Sequence, residues 1–244
     1  MPEHELLLTR YFNQYLGGAA NSILSAVHVT PDDPAHPWQN WLVMEILVVV
    51  LLVLLFAMLR PRLSVDKPGK TQHIFEVLYG FFKTSVEEAG IEHGERYLPY
   101  FGAVFIFILA MNLIGIIPAL ESPTMSPAVT LGLALCTFIY YNVWGFRAHG
   151  AKYILQLLGP VWWLAPLMVF IEIASHLARP LSLTLRLYAN MLAGEQVTGA
   201  FLALSKVVVP AIFMGLHVFV ALLQAYIFML LSMVYVRGAV SHDH

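Results

Sequence analysis

Residues 207–236 contain no Asp, Glu, Lys or Arg. As a helix, this 30-residue run is about 45 Å long at 1.5 Å per residue. A membrane hydrocarbon core is about 30 Å thick. The helix must therefore tilt strongly or run partly along the membrane. A helix in water needs a polar face, and this one has none beyond His217 and Gln224 and a few hydroxyls. Its surroundings must be lipid and other membrane helices.

The rest of the chain is of the same kind. It is 59% apolar and 11% charged, where soluble domains are about half apolar and a quarter charged. The expected fold is an all-α polytopic membrane protein with about five crossings and one interfacial amphipathic helix. Residues 42–59 form the first span, stopped by Arg60-Pro61-Arg62. Residues 97–118 and 128–146 carry no formal charge, and the short turn between them predicts an antiparallel hairpin. Residues 160–204 predict a long helix that Pro160, Pro166 and Pro180 kink or break. With residues 207–236 it forms a strongly tilted hairpin, turning near Lys206. Residues 72–90 differ: Ile74, Phe75, Leu78, Phe81, Phe82 and Val86 recur at helical spacing among Gln72, Glu76, Lys83, Glu87 and Glu88. This amphipathic helix lies in the interface plane or packs on the soluble side. Residues 1–40 read as an extracytoplasmic arm with a turn-rich loop at 30–37. They lack a basic stretch followed by an apolar core, so no cleaved signal peptide is expected.

Charge excludes some functions and sets an orientation. A net charge of −2 leaves no nucleic-acid footprint. The lone Cys136 allows no disulfide within the chain, and no metal or cofactor motif is found. With five crossings, Arg60, Arg62, Lys67, Lys70, Lys83, Arg96, Arg147, Lys152 and Arg237 fall on one side. Arg10 and Lys206 fall on the other. Nine against two makes the first side cytoplasmic, with the N-terminus outside and the C-terminus inside.

Inside the membrane lie charges that lipid cannot satisfy. Glu172, His176, Arg179, Leu183, Arg186 and Asn190 step by alternating fours and threes, which holds one helix face. Arg186 is the costliest, at roughly 3 to more than 10 kcal/mol near a bilayer centre. It cannot shed its proton, so it acts as a fixed positive point. Glu195 lies nine residues further on, half a turn round, and so serves a different aqueous path. His217 and Gln224 are seven apart and share a face of the last helix. Glu and His can relay protons. Each of these residues also has a bland role, as an ion-pair partner or an interhelical hydrogen bonder. Asn112, alone in its span, reads as such a helix–helix bond.

The run Pro180-Leu-Ser-Leu-Thr-Leu-Arg186-Leu-Tyr-Ala-Asn190-Met-Leu-Ala-Gly194-Glu195 resembles the signature of the a subunit of bacterial F-type ATP synthases. His217 through Gln224-Ala225-Tyr226-Ile227-Phe228 resembles its second part. Ala189 stands where many relatives carry glycine, and the family varies at the positions of Glu195 and His217. The resemblance implies the proton-translocating stator of the Fo sector, a non-catalytic subunit of the inner (plasma) membrane without a cofactor. It implies as partners the c-subunit ring, the peripheral-stalk b subunits, the rest of the F1Fo complex and the lipid bilayer. Arg186 would face the c-ring carboxylate, with Gln224 beside it and Asn190 one turn away. Glu195 and His217 would line the half-channel open to the outside, and Glu172 the cytoplasmic one, with His176 on its wall. His217 beside uncoordinated carboxylates favours protons over sodium.

A secondary transporter of a small solute is the alternative, but no internal repeat supports it. An intramembrane enzyme lacks H-E-x-x-H and G-x-S-x-G motifs. A haem carrier would need paired axial ligands that His176 and His217 do not supply.

Overall fold

The computed structural model describes residues 5–26, 36–64, 68–91, 93–117, 120–150, 153, 165–204 and 208–241. Among these it is all helical: α1 (Leu7–Ala26), α2 (Asn40–Leu59), α3 (Lys70–Glu88), α4 (Leu98–Ile114), α5 (Pro127–His149), α6 (Ala165–Leu204) and α7 (Val208–Val240). Short 3-10 turns at Arg60–Arg62, Gly94–Arg96 and Pro123–Met125 join them. Helices α2, α5, α6 and α7 are long and apolar enough to cross a bilayer, and α4 is a shorter apolar helix.

The core is the packing of α4, α5 and α6 around α7. Phe101, Ile108, Met111, Tyr141, Leu187, Met191, Met229 and Met233 are all fully buried there. Helix α2 meets this core through the buried Val43, Met44 and Val48 and the partly buried Trp41, Leu47 and Leu52, and its Val49–Leu51 and Val53–Phe56 side chains stay exposed. From Ile46 to Leu59 it is apolar on every side, so that stretch needs lipid rather than protein around it. Helix α3 docks on one end of the bundle. Phe82 packs edge-on to Phe105 at 5.2 Å, Phe75 meets Phe56, and Phe81 meets Tyr226. Ile74 and Val77 remain exposed, so only part of its apolar stripe is covered by the protein.

Buried hydroxyls and an amide sew the α4–α5 turn to the core. Thr124 donates to Asn112 Oδ1 at 2.8 Å, and Ser122 donates to the Met111 carbonyl at 2.9 Å. Asn112 Nδ2 donates to the Ala221 carbonyl of α7 at 3.4 Å. Asn112 is thus the interhelical bonder expected of a lone amide in an apolar helix. At the opposite end, Arg96 and Arg147 both lie over the Trp144 ring, each 5.2 Å from its centroid. The start of α4 and the end of α5 therefore share one side. The Arg237 guanidinium lies 3.5 Å from where a Cβ at Gly90 would stand, which brings the end of α3 and the end of α7 to each other.

Several boundaries differ from those expected. Residues 1–40 hold a helix, α1. It folds back on Trp38, whose N–H donates to Asn13 Oδ1 at 2.9 Å and whose indole donates to the Leu16 carbonyl. Most of the turn-rich loop lies outside the described residues, as do Pro160 and the Lys206 turn. Helix α4 ends at Ile114 rather than 118, because Gly115 and the following turn break it before Pro118. Pro180 does not break α6, which runs unbroken for 40 residues. The Thr184 hydroxyl also donates to the Pro180 carbonyl at 2.8 Å, within the same helix. Helix α7 runs on to Val240, since one arginine past the apolar run is no helix breaker. At about 60 Å, α6 fits a core of about 30 Å only if inclined by about 60° or with its ends outside. Phe201 stacks on Phe213 at 4.3 Å, so the end of α6 and the start of α7 meet as a hairpin.

Candidate functional site: polar groups along α6 and α7

Helix α6 carries the polar groups, but not on one uniform face. Leu183 is 2% exposed, pressed into the core, while Arg186 and Asn190 are exposed. Glu172 and Asn190 are five turns apart at the same azimuth, yet Glu172 is half-buried. The cause is length. Helix α5 has 23 residues against 40 in α6, so the cover over one azimuth changes along the helix.

Arg186 projects from the uncovered side. Around it, Ser182, Leu185, Ala189, Asn190 and Ala193 are all exposed. Ser182, Ala189 and Ala193 are small, so another helix can approach closely there. Among the described residues no ion-pair partner for Arg186 is found, which excludes the bland role of a bundle-locking salt bridge within them. Gln224 is buried, 7% exposed, on the inner side of α7.

Two titratable groups of residues flank Arg186 along the helix. One lies roughly 21 Å away at Glu172, the other roughly 14 Å away at Glu195. On the side of Arg147 and Arg237, Glu172 Oε1 lies 3.4 Å from His176 Nε2. Arg179 stacks over the rings of Tyr141 (5.9 Å) and Tyr235 (5.4 Å). On the other side, Asn190, Gly194, His217 and their apolar neighbours line a cavity of ≈ 230 Å³ between α6 and α7. That volume holds several waters at about 30 Å³ each. His217 Nε2 is buried and has no hydrogen-bond partner in the protein among the described residues. Its Nδ1 faces Gly194, 3.1 Å from where a Cβ would stand. Glu195 is exposed and within electrostatic reach of Glu121. Glu121 accepts a bond from Asn40 at 3.3 Å.

The residues singled out from sequence thus fall into four places, one of them Gln224 alone on the buried side of α7. Glu172 and His176 are in direct contact. Asn190 and His217 share the cavity, with Glu195 adjoining it in sequence beside Gly194. Arg186 stands apart on the exposed face. Sequence reasoning missed Tyr141, Tyr235 and Glu121. The polar run Tyr140-Tyr141-Asn142 in an apolar helix was the available signal for the first. No group of His, Cys, Asp or Glu fit to hold a metal occurs among the described residues.

This is a multi-pass helical membrane protein whose exposed arginine, without an ion-pair partner among the described residues, lies between two sets of titratable side chains. Residues 41–237 match the family described as ATP synthase A chain. The chain is 56% identical over 234 residues to "ATP synthase subunit a" of Solibacter usitatus, covering 96% of this chain and 100% of the relative. It is 49% identical over 243 residues to that of Koribacter versatilis, covering 99% of each. To that of Geobacter sulfurreducens it is 36% identical over 241 residues, again covering 99% of each. The chain belongs to the ATP synthase A chain family.

Proposed function

We propose that this chain is the proton-translocating stator of the Fo sector of a bacterial ATP synthase. The observation that carries the reading is the exposed Arg186, without an ion-pair partner among the described residues, on a face of small side chains. A charge kept there at such cost calls for a partner on another chain. In this reading the partner is the carboxylate of a c-ring subunit.

A proton passes from outside through the cavity by His217 and Asn190, with Glu195 at its mouth, and neutralises that carboxylate. A neutral carboxyl can face lipid where a charged one cannot do so cheaply. The ring turns, and the carboxyl releases its proton beside the His176 and Glu172 side. Arg186 attracts the bare carboxylate and blocks a direct leak between the two half-channels. Torque then drives ATP synthesis in the F1 sector, and the subunit itself catalyses nothing. The excess of basic residues puts Arg96, Arg147 and Arg237 on the cytoplasmic side, near the b subunits and α3.

In membrane vesicles containing the whole complex, Arg186→Ala abolishes proton-driven ATP synthesis. Retained synthesis would show the reading to be wrong. Cysteines at Ser182 or Ala189, with Cys136 replaced, should crosslink to cysteines flanking the c-subunit carboxylate. Leu183 and Leu187 point into the core and are unsuited to that test.

A further inference from the structure

Tyr141 on α5 has no part in the mechanism so far. It is 1% exposed, and its hydroxyl lies 3.2 Å from Nδ1 of His176 on α6. The other imidazole nitrogen is the one 3.4 Å from Glu172. Carboxylate, imidazole and phenol therefore form one line from α6 to α5. The phenol ring is itself held in place, with Phe138 edge-on at 5.4 Å, Tyr235 at 5.8 Å, and Arg179 over its face. The side chains of Arg179 and Asn142 also lie within hydrogen-bonding reach of the phenol, and a phenylalanine would keep the ring without the buried hydroxyl.

A neutral imidazole has one N–H and one bare nitrogen. With Tyr141 O–H donating to Nδ1, the imidazole N–H sits on Nε2, the nitrogen 3.4 Å from Glu172 Oε1. The opposite tautomer would turn a nitrogen lone pair against the carboxylate oxygens. Which nitrogen carries the proton is set by the bond that the other one makes. The other titratable groups around this ring are Arg179 on α6, Tyr153, and Tyr235 on α7. None of them is seen to bond either nitrogen.

We propose that Tyr141 is a positioning residue of the cytoplasmic half-channel, its hydroxyl holding the His176 imidazole in the tautomer that carries its proton on Nε2, the nitrogen beside Glu172. The proposal rests on the stator reading above. It adds a group from a second helix, so that the relay has its geometry only when α5 and α6 are packed together.

The test uses the whole complex in membrane vesicles, with rates normalised to the amount of assembled complex. Tyr141→Phe keeps the ring and removes one oxygen. Proton-driven ATP synthesis should slow about tenfold, as expected when a reacting group loses its orientation. In a His176→Leu background the same change should alter the rate by less than about twofold, because the two residues act as one unit. A merely structural role would instead lower the amount of assembled complex in both backgrounds. Tyr141→Met fills similar space without the hydroxyl and must reproduce the loss if the phenylalanine variant fails to assemble. Wild-type rates in both Tyr141 variants, or losses that multiply with His176→Leu, overturn the proposal. Arg186→Ala run alongside separates the two readings. Synthesis retained in it overturns both, whereas synthesis abolished in it with Tyr141→Phe silent overturns only the role of Tyr141.

Discussion

Gly194→Ala tests whether the packing of α6 on His217 matters to proton movement. A Cβ at Gly194 would lie 3.1 Å from His217 Nδ1 and 3.3 Å from Cε1. Ordinary van der Waals contact begins near 3.4 Å, so the ring must give by a few tenths of an ångström. It can, because the ≈ 230 Å³ cavity adjoins it. Overpacking in a filled core costs about 1–3 kcal/mol, and the cavity puts this case at the low end. Replacing glycine by alanine inside a helix returns up to about 1 kcal/mol. The two nearly cancel, so the variant should assemble at wild-type amounts. A displaced proton carrier is another matter, since misplacement by about 1 Å can cost 100-fold. For a shift of a few tenths we expect synthesis to fall by about three- to tenfold. The assay is ATP-driven proton pumping and proton-driven synthesis in vesicles, each per assembled complex, with His217→Leu as reference. If His217→Leu is slow while Gly194→Ala runs at the wild-type rate, the close approach of Gly194 to His217 does not govern proton movement.

Other consequences are simpler. Asn112→Leu removes the bonds to Thr124 and the Ala221 carbonyl, and should destabilise the subunit by about 1–3 kcal/mol, read as a lower thermal midpoint of the purified complex in detergent. Gly145→Ala would set a Cβ 2.6 Å from the Tyr153 ring. That ring is tied to Asn142 at 3.1 Å, so we expect a lower yield of assembled complex on immunoblots, with normal turnover per complex. Lys83 lies 3.1 Å from Glu95, and the hydrogen bond and charge of Glu95 hold its pKa above the ordinary lysine value. A raised pKa means stability present below the ordinary lysine range and lost as pH rises through the higher value. The difference in thermal midpoint between wild type and Lys83→Met should therefore be small and constant through neutral pH, and vanish in strong alkali.

The apolar runs alone determine that the chain is a bundle of membrane helices, because a segment without a polar face has no stable place in water. They also locate α2, α5 and α7 to within a few residues. The intramembrane charges are equally plain in the sequence, since each is costly and stands out from its surroundings. The environment of each charge was not legible. Helical spacing puts Leu183 on the same stripe as Arg186, yet one faces the core and the other is exposed. Azimuth repeats every turn, whereas cover depends on where α5 and α7 cross a helix much longer than either neighbour's contact. The fold-back of α1 onto Trp38 depends on long-range side-chain bonds, and no local pattern encodes them. Tyr141 is the clearest case. In sequence it is one aromatic among several in an apolar helix, 35 residues from His176. Only the packing of α5 against α6 brings its hydroxyl to the imidazole, and a hydrogen bond acts at contact distance or not at all.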